Sequence, residues 1–120
     1  DFDLACTPIQ ARKLRQAGTP AYMAPEQFIE KMACKASDVF AFGIMAYHLI
    51  AGRFPFSGNS EKQTMRNQAS SKVKAKPLGE LAPDISPRLE KVIMKCLEKS
   101  LRDRYSNMNN CLQELGFSEL

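Results

Sequence analysis

A chain of 120 residues, 44% apolar and 25% charged, is long enough for one domain with a single core and too short for two. The formal charge is +4, but Lys and Arg are scattered, with small clusters at Arg12, Lys13 and Arg15 and at Lys72, Lys74 and Lys76. Aromatic residues do not alternate with either cluster, which argues for solvated loops and against a nucleic-acid partner.

Residues 1–25 hold Pro8, Gly18, Pro20 and Pro25 and no sustained period, so they read as an irregular segment. A short helix can open at Ala24-Pro25-Glu26-Gln27-Phe28, with Pro25 in its first turn. The most apolar run is Val39 to Ala51, with Ser37 as N-cap and Asp38 placed to suit the helix dipole. Thirteen residues are too few to span a bilayer, and because they are apolar on every face this helix is expected to be buried all round. It should end near Gly52, ahead of a turn at Arg53-Phe54-Pro55-Phe56.

A mostly polar second helix is predicted from Ser60, with Ser60 and Gln63 as a capping box, fading near Lys72. Residues 73–85, with Pro77, Gly79 and Pro83, read as a loop. A third helix is capped by Ser86, starts with Pro87, and carries the stripe Leu89, Val92, Ile93, Cys96 and Leu97. A fourth begins near Ser106 and turns Met108, Cys111, Leu112 and Leu115 to one face. No convincing strand is predicted, so the expected domain is nearly all helical.

Cys6, Cys34, Cys96 and Cys111 show no metal-ligand pair spacing, and His48 lies within the apolar run, so no zinc site is expected. His48 and the Met residues read as core filler. Four unclustered thiols fit a reducing compartment, giving a cytoplasmic expectation for the chain or for the part of a larger protein that carries it. No signal peptide or membrane segment is visible, and the lack of an initiator Met suggests a piece of something longer.

Four motifs stand in order along the chain. They are Asp1-Phe2-Asp3-Leu4-Ala5, Gly18-Thr19-Pro20-Ala21-Tyr22-Met23-Ala24-Pro25-Glu26, Asp38-Val39-Phe40-Ala41-Phe42-Gly43, and Cys96-Leu97-Glu98-Lys99 followed by Arg104. Together they resemble a protein kinase domain of the Ser/Thr type from its Asp-Phe-Gly position onward, over essentially the whole chain. The resemblance implies a mainly α fold, the helical C-terminal lobe of the family, with residues 1–26 as activation segment and 27–120 as helical subdomain. It also implies ATP and Mg²⁺ as cofactors and, as partner, a protein substrate with a Ser or Thr acceptor.

Residue by residue, the resemblance makes Asp1 the carboxylate that holds the Mg²⁺ bridging the ATP phosphates. It makes Thr19 the hydroxyl that helps shape the acceptor site, and Pro20, Ala21 and Tyr22 the loop that receives the residue following the acceptor. Glu26 and Arg104 become a structural carboxylate–guanidinium pair, and Asp38 an acceptor for backbone N–H groups of the catalytic loop.

Two positions depart from the family pattern. Asp3 stands where Gly is usual; Gly lets the motif change conformation, and Asp tolerates left-handed backbone better than most residues. The expectation is reduced flexibility and altered nucleotide affinity. Arg15, Gln16 and Ala17 offer no hydroxyl before Gly18, so Thr7, followed by Pro8, is the candidate phosphosite of this segment. The Gly-rich loop, the phosphate-pairing Lys, the helix Glu and the His-Arg-Asp catalytic loop are not found in these 120 residues, so no catalytic residue is assigned and the chain alone is not expected to phosphorylate anything. The competing readings are a kinase-shaped scaffold without catalysis, supported by Asp3, and an interaction module formed by the helical fragment itself.

Overall fold

One seventeen-residue helix organises the rest of the chain. The computed structural model describes residues 6–8 and 20–116. In chain order these form strand β1 (Thr7–Pro8), a 3-10 helix (Pro20–Tyr22), α1 (Pro25–Ile29), β2 (Met32–Ala33), α2 (Lys35–Ala51), α3 (Glu61–Ala69), α4 (Leu78–Leu81), α5 (Pro87–Cys96) and α6 (Met108–Glu114).

The long helix α2 starts earlier than predicted. Cys34, not Ser37, is its N-cap, and Ser37 lies in the first turn with its hydroxyl accepting from the Cys34 N–H at 3.0 Å. The helix ends at Gly52, whose φ of 77° supplies the left-handed geometry that an ordinary residue resists. Phe40, Ile44 and Tyr47 of α2 meet Ile93 and Leu97 from α5 and its end, together with Phe56, Leu78 and Ala24, in the main core. A second cluster joins Val39 to Val92, Cys96, Tyr105 and Cys111, tying α6 to the same two helices. The α2–α5 contact is close because Gly43 has no side chain: a Cβ there would lie 2.7 Å from the Cys96 Cβ.

The expectation that α2 is buried all round is corrected. Met45 is 45% and Leu49 74% exposed, because no described element packs on that face of the helix. Met45 and half-exposed Met65 are therefore not core filler, whereas Met23 is buried. His48 is half-buried, stacked on Phe54 with ring centroids 4.1 Å apart.

The predicted caps of α3 and α5 are found. Ser60 accepts from the Gln63 N–H and Ser86 from the Leu89 N–H, each at 3.1 Å. The Gln63 side chain reaches back one residue further than a capping box requires, accepting from Asn59 N–H at 2.6 Å. Helix α3 stops at Ala69. Helix α6 begins at Met108 with Asn107 as its cap, close to the predicted start, and of its predicted stripe only Cys111 is fully buried.

Three further expectations are corrected. The stretch 73–85 is not all loop, since α4 forms within it and buries Leu78 completely. A strand pair also exists: β1 and β2 run antiparallel, with Thr7 opposite Ala33 and Pro8 opposite Met32. One residue beyond the Thr7–Ala33 pair, Cys6 and Cys34 are joined by a disulfide, so the four cysteines are not four free thiols. Cys96 and Cys111 remain free and buried, their sulfurs 3.5 Å apart.

Candidate functional site

The most heavily bonded side chain among the described residues is Arg104. It follows α5 by eight residues, yet it reaches back to α1, where its Nη1 and Nη2 donate to Glu26 Oε2 and Oε1 at 2.9 and 3.0 Å. Nη1 also donates to the Ala36 carbonyl at 2.9 Å, Nη2 to Lys99 at 3.3 Å, and Nε to Glu98 at 2.9 Å. All five guanidinium hydrogens thus find acceptors, which is what permits an Arg that is only 3% exposed. Ser37 donates its hydroxyl to Glu26 Oε2 at 2.5 Å, and the guanidinium lies over the Phe40 ring at 5.0 Å. This network binds α1, the start of α2 and the segment after α5 into one block.

The block carries the turn at residues 20–23. Pro25 at the first position of α1 needs no hydrogen-bond partner for its nitrogen, and Gln27 Oε1 accepts from the Ala24 N–H at 2.8 Å. The half-buried Tyr22 ring meets Phe54 edge-on, with centroids 5.5 Å apart, and Phe54 stacks on His48. Gln68 of α3 donates from Nε2 to the carbonyls of Ala21 and Met23 at 2.6 and 3.0 Å.

The carboxyl end of α3 is secured by Lys99. Its ammonium donates to the carbonyls of Asn67, Ser70 and Val73 at 2.6, 2.7 and 3.0 Å and lies 4.1 Å from the Phe56 ring centroid. Burial, aided by the charge of Lys74, lowers its pKa to about 8.

Of the residues singled out from the sequence, the structure brings Glu26 and Arg104 together and places Ala21 and Tyr22 just before α1, the helix that holds Glu26. The backbone of Pro20 opens the 3-10 helix. Asp38 is exposed in the first turn of α2, and Thr7 is exposed on β1 beside the Cys6–Cys34 bridge. Asp1, Asp3 and Thr19 lie outside the described residues. Gln68 and Lys99 were not singled out for a role, and Ser37 was read only as a helix cap, not as a partner of Glu26. A lone polar residue on a polar helix gives no signal by period or composition, although Lys99 stands within a motif that was recognised.

Among the described residues, no group of three or more His, Cys, Asp or Glu could hold a metal ion, and no helix is long and apolar enough to cross a membrane.

Comparison with known proteins completes the picture. Residues 1–115 match the family model described as the protein kinase domain. The serine/threonine-protein kinase Pkn1 of Myxococcus xanthus is 37% identical over 99 residues, covering 80% of this chain and 14% of the relative. The serine/threonine-protein kinase PkaA of Streptomyces coelicolor is 37% identical over 107 residues, covering 88% of this chain and 18% of the relative. A probable serine/threonine-protein kinase of Clostridium acetobutylicum is 32% identical over 99 residues, covering 82% and 15%. The chain thus spans less than a fifth of the length of these relatives. The match runs from the first motif to the last helix, over the same helical framework that holds Glu26 against Arg104, and the chain belongs to the protein kinase family as a helical portion of its C-terminal lobe.

Proposed function

We propose that this chain is the C-terminal part of a Ser/Thr kinase domain that transfers the γ-phosphoryl group of ATP to Ser or Thr hydroxyls of proteins. The observation that supports it best is the match to the protein kinase domain over residues 1–115 and to Ser/Thr kinases over most of the chain, together with the anchoring of the turn at 20–23 by Gln68 and Phe54. In this reading residues 1–26 are the activation segment and 27–120 the helical subdomain. Thr19, Pro20, Ala21 and Tyr22 bind the acceptor segment, and Thr7 is the available phosphosite.

Asp1 is the assigned Mg²⁺ ligand, a hard carboxylate oxygen suited to that ion. The described residues offer no ligand cluster to accompany it. When bound, Mg-ATP supplies the phosphoryl group; the described residues hold the acceptor in place and keep its loop rigid. The catalytic Asp and the nucleotide-binding loop come from upstream segments, so residues 1–120 alone are inactive.

The test uses the longer protein that carries this chain. Incubation with Mg-ATP and a Ser/Thr peptide library should give phosphopeptides, and Asp1→Ala should abolish them. Nucleotide binding with no transfer to any peptide or to the protein itself would favour the scaffold reading that Asp3 supports.

A further inference from the structure

Gln68 lies in the last turn of the polar helix α3, yet it is 1% exposed. Its carboxamide nitrogen has two hydrogens, and it donates to two main-chain carbonyls, Ala21 at 2.6 Å and Met23 at 3.0 Å, across 47 and 45 residues of sequence. The two carbonyls flank Tyr22, whose ring meets Phe54 edge-on. Residues 21–23 are thus held both by an amide on their main chain and by an aromatic contact on the Tyr22 ring. Loss of the amide would leave two carbonyls short of a donor in a place with little water, so the turn would shift to find others.

We propose that Gln68 is a positioning residue for the protein substrate: it sets the main-chain path of the Ala21–Met23 turn, and so the shape of the pocket for the residue that follows the acceptor. The inference rests on the kinase function proposed above and extends it, because it assigns part of substrate specificity to a helix that contributes no residue to the turn itself. The arrangement separates recognition from chemistry. The described hydrogen bonds of Gln68 go to the acceptor loop, so its loss should act on the peptide and leave ATP alone.

The test uses the complete kinase domain, with Gln68→Met removing the donor at similar volume and Gln68→His keeping one N–H. Lys99→Met serves as control, since it loosens the same end of α3 without touching the turn. For Gln68→Met, KM for a peptide substrate should rise about tenfold, with kcat within about twofold and KM for ATP unchanged. The preference for the residue after the acceptor should flatten across a peptide set. Gln68→His should show a smaller rise of the same kind, and it carries the test if the Met variant does not fold. Lys99→Met should lower the melting temperature and leave the peptide KM in place. An active domain whose peptide KM and preference ignore both Gln68 variants overturns the inference alone. The same holds if Lys99→Met reproduces the rise. A wild-type domain that phosphorylates nothing overturns the proposed function, and the substrate role of Gln68 with it.

Discussion

Arg104 and Glu26 stand 78 residues apart in sequence and meet in a two-pronged contact, Nη1 to Oε2 at 2.9 Å and Nη2 to Oε1 at 3.0 Å, with both side chains almost wholly shielded from water. The remaining guanidinium hydrogens go to main-chain carbonyls at the start of α2 and just after α5. A pair built this way acts as a brace between distant parts of the chain, because neither partner has a substitute for the other in the interior.

Breaking the brace should therefore be costly. Arg104→Met leaves the Glu26 carboxylate buried with Ser37 as its remaining side-chain donor, and should lower stability by about 3–5 kcal/mol in urea unfolding. Adding Glu26→Gln to it should cost much less than the two single changes summed. A loss below about 1 kcal/mol for Arg104→Met would place the pair with ordinary surface bridges.

Gly43 should not accept a methyl group. The added carbon would sit 2.7 Å from the Cys96 Cβ and 3.1 Å from a Leu97 methyl, and the former is fixed to the backbone of α5. Overpacking of about 1–3 kcal/mol should outweigh the gain of up to about 1 kcal/mol in helix propensity. The expected result for Gly43→Ala is a lower urea midpoint with an unchanged slope; a higher midpoint would show that α5 can move aside.

Lys99 should give stability an alkaline dependence. Its folded pKa of about 8 lies below its unfolded value of about 10.5, so between these values the unfolded chain holds the proton more firmly. Stability should therefore rise as pH passes from about 8 to about 10.5, the contribution being absent below that window. Thermal melts across it should show the rise in the natural chain and lose it in Lys99→Met. Parallel curves for the two would remove Lys99 as the source.

The cysteines should divide into two chemical classes. In the folded chain without reductant, iodoacetamide should modify none of them, since Cys6 and Cys34 are bonded and Cys96 and Cys111 are buried. Burial also raises the pKa of both free thiols, which keeps them protonated. After reduction of the folded chain, label should enter at half-exposed Cys6 before Cys96 or Cys111, as peptide mass mapping will show. Early label at Cys96 would mean that α5 and α6 separate readily.

The parts of the fold legible in the sequence were those with local signals. Helix α5 announces itself by Ser86, Pro87 and a regular apolar stripe, and α3 by Ser60. Helix α4 did not, because four residues among Pro77, Gly79 and Pro83 show no period, and Leu78 is buried by tertiary contacts alone. The exposed Met45 and Leu49 misled for a related reason: apolar character states what a face can bury, and does not state what is there to cover it. At the candidate site, Glu26 and Arg104 came from recognised motifs. Gln68 and the Cys6–Cys34 bridge depend on contacts across 45 and 28 residues, for which one sequence offers no pattern.

That bridge has a topological consequence. It closes residues 6 to 34 into a covalent macrocycle that contains the whole turn at residues 20–23 and α1. A single peptide-bond cut inside the ring would leave one molecule until the sulfurs are reduced, so the turn stays tethered to α2 even when its own chain is broken. Lengthening the ring would cost little, since closure entropy grows only with the logarithm of its size, about 0.6 kcal/mol per doubling. The segment ahead of the turn can therefore vary in length while the turn keeps its attachment at both ends.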